Sequence, residues 1–271
     1  MASKANPTDY KNRLAASFDR RVNYDDDYTV GRATQLVELA QLKSGHSVLD
    51  IATGTGIVAI LAARTVGAKG NVIGVDISPG MLDQARKKIR TKRLRNVELM
   101  EADVEKLDFA AESFDAILCS SALMWLTDIP AALRKCRCWL KPGGLLAFSC
   151  YSESSFMIPL LARVCSRFGV ALPNCNEPLG TPARCRKLVR AAGFEKVDVQ
   201  TREFGSYLRR SAGDWKWDGN ANWIDPRGNP LAELSSEKLA EIRAAYDSEL
   251  DALATAQGYW HEITMFLVIA R

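Results

Sequence analysis

Val48-Leu49-Asp50-Ile51 is an apolar run carrying an acid, and it passes through Ala52-Thr53-Gly54-Thr55-Gly56 into a second apolar stretch, Ile57 to Val66. That order reads as strand, turn and helix. Glycines at 54 and 56 permit a tight turn and let backbone amides approach a ligand with no Cβ in the way. The same amides open the following helix, so the turn offers unpaired donors and partial positive charge. The chemistry this suits is the binding of a nucleoside. Taken alone, Gly54-x-Gly56-x-x-Ala59 also fits a dinucleotide fingerprint, with Asp76 twenty residues beyond Gly56.

Three later segments separate the two readings. Glu101-Ala102-Asp103 ends a strand, Leu107-Asp108-Phe109 and Ser113-Phe114-Asp115 follow, and Leu140-Lys141-Pro142-Gly143-Gly144 leads into the strand Leu145 to Cys150. With these the chain resembles the class I S-adenosylmethionine-dependent methyltransferases, in particular the small-molecule branch that includes ubiquinone/menaquinone biosynthesis C-methyltransferases. The match covers residues 30 to 150. One departure is that Ala52 and Thr53 stand where that family usually has Gly and Cys. The resemblance implies transfer of a methyl group from S-adenosyl-L-methionine to carbon, oxygen or nitrogen of a small-molecule metabolite. Two alternatives are an NAD(P)-dependent oxidoreductase, for which no Tyr-x-x-x-Lys pair is found, and a non-catalytic cofactor-binding protein.

On this reading the cofactor is gripped along its length. Gly54 and Gly56 face its methionine portion, Ala52 of the same turn is a further cofactor contact, and Asp50 suits the α-amino group directly or through water. Asp76, closing the second strand, accepts from the ribose hydroxyls, or else caps the helix that follows. Ile77 and Met81 pack on the adenine, Asp103 accepts from the adenine amino group with Val104 beside it, and Ser120 offers backbone or hydroxyl contacts. Tyr24 and Arg32 are cofactor or substrate contacts by family position. Trp125, Trp215, Trp217 and Trp223 are expected to line the substrate pocket, and His261 is the candidate base. Neither an Asn/Asp-Pro-Pro-Tyr segment nor a carboxylate for magnesium follows the fourth strand, so neither a nucleobase target nor a metal is expected.

The elements that must position these residues alternate. Strands are expected at 47–51, 71–76, 96–100, 114–119, 145–150 and 195–203, with helices between them, which argues for βαβ units. The resemblance implies a Rossmann-like, seven-stranded, mostly parallel α/β sheet with helices on both faces, in which the last strand, 263–270, inserts antiparallel beside the fifth. Residues 1–43 form a helical N-terminal segment with a break near Tyr24-Asp25-Asp26-Asp27-Tyr28. Its second helix places Val30, Ala33, Leu36 and Leu39 or Ala40 on one face. Residues 44–203 form the core and 260–271 the last strand. Between them, 204–259 insert a tryptophan-rich loop and a helix with Leu239, Ile242, Tyr246, Leu250 and Leu253 in register, expected to act as a lid.

The chain has 271 residues, enough for one α/β domain with an elaboration. Thirty-six basic against 32 acidic residues leave a net charge of +4, too mild to call for nucleic acid or membrane partners. No signal peptide and no run of membrane-spanning length is seen, so the expected location is the cytoplasm. Seven cysteines without a C-x-x-C pair read as free thiols of a reducing compartment. A homodimer is left open.

Overall fold

A computed structural model describes residues 7–21, 24–208 and 225–271. Five strands, β1 (Ser47–Ile51), β2 (Asn71–Asp76), β3 (Val97–Glu101), β4 (Phe114–Ser120) and β5 (Leu140–Tyr151), run parallel; β6 (Val197–Glu203) and β9 (Thr264–Ala270) complete the sheet. The order is β3-β2-β1-β4-β5-β9-β6, and β9 is antiparallel to both neighbours. Chain connections from β1 therefore run outward through β2 to β3, while the connection to β4 crosses to the other side. That reversal opens a crevice at the carboxyl ends of β1 and β4.

The helices α3 (Ile57–Val66), α4 (Pro79–Thr91), α5 (Ile129–Trp139) and α7 (Pro182–Ala191) follow β1, β2, β4 and β5. Two core layers result, one on each face of the sheet. One joins Leu49, Ile117, Leu133, Trp139 and Phe148, and the other joins Leu36, Ala59, Val72, Leu118 and Leu267. Ser78 caps α4 by accepting from the Met81 amide at 3.2 Å, and Thr181 caps α7 by accepting from Arg184.

Several boundaries differ from expectation for local reasons. Phe114 pairs with Leu140 and Ala116 with Leu145, so Lys141 to Gly144 bulge out within a longer β5, with Gly143 at φ +78°. In the N-terminal segment the helices are α1 (Pro7–Asp19) and α2 (Asp27–Leu39), the latter capped by Asp26. The buried stripe of α2 is Arg32, Ala33, Leu36 and Val37, whereas Val30, expected on that face, is 38% exposed.

The 204–259 insertion contains a short antiparallel ladder of β7 (Ser206–Leu208) with β8 (Tyr259–His261), and α8 (Ser236–Ala252). Ile242, Tyr246 and Leu250 of α8 pack with Leu160, Leu161 and Val164 of α6 (Ile158–Arg167), a helix that sequence reading did not foresee. Glu249 pairs with Arg163 and Arg167 across this contact, and Leu253 falls off the stripe at 50% exposure. Among the described residues no helix is long and apolar enough to cross a membrane.

Candidate functional site

A cleft occupies the crevice, its floor made by turns at the ends of β1, β2, β3 and β4 and its cover by α1, Tyr24 and α2. The first floor turn is the glycine turn. Ala52 (φ +53°) and Gly54 (φ +55°) both adopt left-handed backbone and both line the cleft. Thr53 donates its amide to the Val75 carbonyl at 2.9 Å, and Gly56 donates to the Thr53 carbonyl at 2.8 Å. Gly56 is not part of the lining. It enters α3 at φ +78°, and a Cβ there would stand 3.0 Å from that of Ala85 on α4. Its absent side chain lets α3 and α4 close together.

Asp50 also lies beneath the turn rather than in the cleft. It is 1% exposed, and its carboxylate accepts from Thr53 Oγ1 at 2.6 Å and from the Ala59 amide. Burial pushes its pKa up to about 7 against the pull of those donors. Its direct work is holding the turn that the cofactor was expected to touch.

Asp76 faces the cleft at the end of β2. Its Oδ2 accepts from the Gly54 amide at 2.7 Å and its Oδ1 from the Ser78 amide at 2.9 Å, so one carboxylate binds the first two turns together. Burial raises its pKa, and the amides of Ser78, Gly54 and Ile77 oppose that rise. Ile77 and Met81 line the same wall. At the end of β3, Asp103 and Val104 line the cleft, with Asp103 Oδ1 accepting from the Glu105 amide at 3.1 Å and from Lys11 Nζ at 3.3 Å. Ser120, Ser121 and Trp125 follow β4 along the opposite side. Ser121 sits at φ +56° and donates its backbone amide to Ser149 Oγ at 2.9 Å.

The cover is aromatic and carries one buried cation. Leu14 and Phe18 of α1 line the cleft, the Phe18 ring meets Trp125 edge-on at 6.4 Å, and Tyr10 donates its hydroxyl to the Trp125 carbonyl. Arg32 is 6% exposed. It donates from Nε to the Tyr28 carbonyl and from Nη2 to Thr29 Oγ1, and its guanidinium stacks on the Tyr28 ring at 3.9 Å. Its Nη1 is buried without a hydrogen-bond partner, and the group has no ion-pair partner among the described residues. A buried guanidinium with an open donor is costly unless an acceptor completes it. Arg32 and Tyr24 both line the cleft, so an anionic group bound there would supply that acceptor.

Of the expected site residues, the fold thus brings together Ala52, Gly54, Asp76, Ile77, Met81, Asp103, Val104, Ser120, Tyr24, Arg32 and Trp125. Asp50 and Gly56 sit just behind them. His261 is not in the lining; it stands opposite Ser206 in the β7–β8 ladder, 6.1 Å from the Phe156 ring, with its pKa lowered by burial. Trp215, Trp217 and Trp223 lie outside the described residues, and no described residue of 204–259 lines the cleft. Sequence reading missed Lys11, Leu14 and Phe18, although Tyr10, Leu14 and Phe18 repeat at the i, i+4, i+8 spacing of a helical stripe.

Comparison with known proteins agrees with this geometry. A family described as a methyltransferase domain matches residues 48–144. The aklanonic acid methyltransferase DauC of Streptomyces sp. (strain C5) is 35% identical over 144 residues, covering 52% of this chain and 66% of its own. The ubiquinone/menaquinone biosynthesis C-methyltransferase UbiE of Idiomarina loihiensis is 33% identical over 181 residues, covering 60% of this chain and 72% of its own. Among solved structures, the YcgJ protein from Bacillus subtilis shares the fold with a TM-score of 0.60 at 17% identity, over 90% of this chain and 98% of that one. Neither the oxidoreductase nor the non-catalytic alternative finds support in these matches. The cleft, its glycine turn and these relatives together show that the chain belongs to the S-adenosylmethionine-dependent methyltransferases.

Proposed function

We propose that the cleft holds S-adenosylmethionine between the floor turns and Arg32, and presents its methyl group to a small-molecule acceptor lying against Phe18, Trp125 and Leu126. The bound cofactor supplies an electrophilic methyl group on a sulfonium, and the chain's own work is to hold, align and exclude water. The observation that carries the reading is that Arg32, whose buried Nη1 has no hydrogen-bond partner, lines a cleft that also contains Gly54, Asp76 and Asp103. A cofactor with a carboxylate, a ribose and an adenine meets each of these groups in kind. Arg32 takes the carboxylate, Asp76 the ribose hydroxyls, and Asp103 the adenine amino group with Ile77 and Met81 against the ring.

Aligning two reactants supplies about 7 to 11 kcal/mol of a displacement barrier, so no strong base is required for an electron-rich acceptor. The lining agrees with this, since it contains no histidine. Apolar walls and the mild net charge favour a small organic acceptor over nucleic acid. Seven free cysteines support work in a reducing compartment, the cytoplasm. The test is incubation with methyl-labelled S-adenosylmethionine and fractionated small metabolites. Label in a small organic product supports the reading; label confined to nucleic acid or protein, or none transferred, contradicts it.

A further inference from the structure

We propose that Asp19 and Asp25, neither of which lines the cleft, are positioning residues through which the N-terminal segment shapes the two turns that grip the cofactor; this rests on the cofactor reading above. Asp19 ends α1, and its Oδ1 accepts from Ser78 Oγ at 2.5 Å and from the Gly80 amide at 2.9 Å. The same Ser78 donates its amide to Asp76, so the turn after β2 is clamped between two carboxylates. Gly80 explains how the helix end comes so close. A Cβ at position 80 would stand 2.9 Å from Asp19 Oδ1 and 3.2 Å from the Asp19 Cα, so a glycine is needed inside the first turn of α4, where it otherwise costs helix stability.

Asp25 does the corresponding work on the glycine turn. Its Oδ1 accepts from Thr55 Oγ1 at 2.5 Å, and its Oδ2 pairs with Lys88 on α4. Between these acids in the chain stand Tyr24 and, just before them, Phe18 and Leu14, all of which line the cleft. Seating the N-terminal segment and setting the two turns are therefore one equilibrium. A cofactor that favours the set turns must favour the seated segment by the same factor.

The experiment uses the full chain and S-adenosylhomocysteine, measured by titration calorimetry and by dissociation into excess S-adenosylmethionine. The variant D19A/D25A removes the acceptors, whereas D19N/D25N keeps a side-chain oxygen at each position. Hydrogen bonds to a charged group at this strength predict affinity about 10- to 100-fold lower for the alanine pair, chiefly through faster dissociation. The asparagine pair should stay within about fivefold of the wild type, since neutral acceptors keep part of each bond. Equal affinity and dissociation rate in all three proteins would overturn the positioning role while leaving the cofactor reading standing. No binding by the wild type would overturn that reading itself. Should the alanine pair not fold, hydrogen exchange on the wild type decides the matter. Slower exchange of the α1 amides on adding S-adenosylhomocysteine supports the coupling, and unchanged exchange there with the ligand bound refutes it.

Discussion

The floor of the cleft and its cover are built on different principles. On the floor, each acid is held by backbone amides from the turn or first helical turn beyond a strand: Asp50 by Ala59, Asp76 by Gly54 and Ser78, Asp103 by Glu105. The cover is fastened by side chains, with Lys11 on Asp103 and Glu105, Asp19 on Ser78, and Asp25 on Thr55 and Lys88. Backbone-held groups are fixed once the sheet forms. Side-chain fastenings cost rotamer freedom and return less, as solvent-near ion pairs do. The floor is a preset template, and the cover is the part whose seating a ligand can influence.

The largest effect expected from breaking the floor is at Gly56. A valine there must take a left-handed backbone, at about 1 to 2 kcal/mol, and press on Ala85, at about 1 to 3 kcal/mol more. Gly56→Val should therefore lose about 2 to 5 kcal/mol of stability in denaturant unfolding. A loss below 1 kcal/mol would mean that α3 and α4 are not packed through this residue.

On the cover the prediction has opposite signs for stability and binding. Arg32→Met removes a buried charge whose Nη1 has no partner, so the free protein should be as stable as the wild type or more so. Affinity for S-adenosylhomocysteine should fall about 10- to 100-fold through the lost charged hydrogen bonds. Unchanged affinity in the thermally stable variant would remove Arg32 from the site.

The same division explains what could be read in the sequence. Strand, glycine turn and acid recur within a few residues of one another, so β1, β2 and the placing of Gly54, Asp76 and Asp103 at strand ends along the cleft follow from local pattern. Asp19 and Asp25 are 59 and 30 residues from Ser78 and Thr55, their side-chain partners, and no local rule links them. Arg32 is expected at the site by family position alone; its burial beside Tyr28 adds a physical reason, a desolvated cation suited to an anion. Helix α6 went unread because its partner surface is α8, about eighty residues later, and the strand expected at 145 begins at Leu140 because a bulge is indistinguishable from a turn by composition alone. His261 was placed by its nearness in sequence to the last strand, whereas β8 leads it into a separate ladder.

Asp50 sharpens the floor side through pH. Its carboxyl ionises near 3.8 when exposed and at about 7 when folded, so the folded state holds a proton that the unfolded chain has released. Stability from this residue is therefore present below about pH 4 and lost as pH rises to about 7. Asp50→Asn should consequently gain on the wild type across that window and no further above it, as read from melting temperatures in a pH series. A constant difference at every pH would show that folding leaves this carboxyl's ionisation unshifted. The smallest effect is expected at His261, which lies outside the cleft lining. Replacement by alanine should change turnover less than about threefold, and a loss of the hundredfold or more typical of a general base would return it to the catalytic centre.

Asp76 is the central residue, because one carboxylate both joins the floor turns and lines the cleft. The decisive measurement is calorimetric titration of S-adenosylhomocysteine into the wild type and a folded Asp76→Ala variant. Saturable one-site binding to the wild type and a loss of about 1.5 to 3 kcal/mol in the variant are expected. Equal affinity in the two proteins would contradict it.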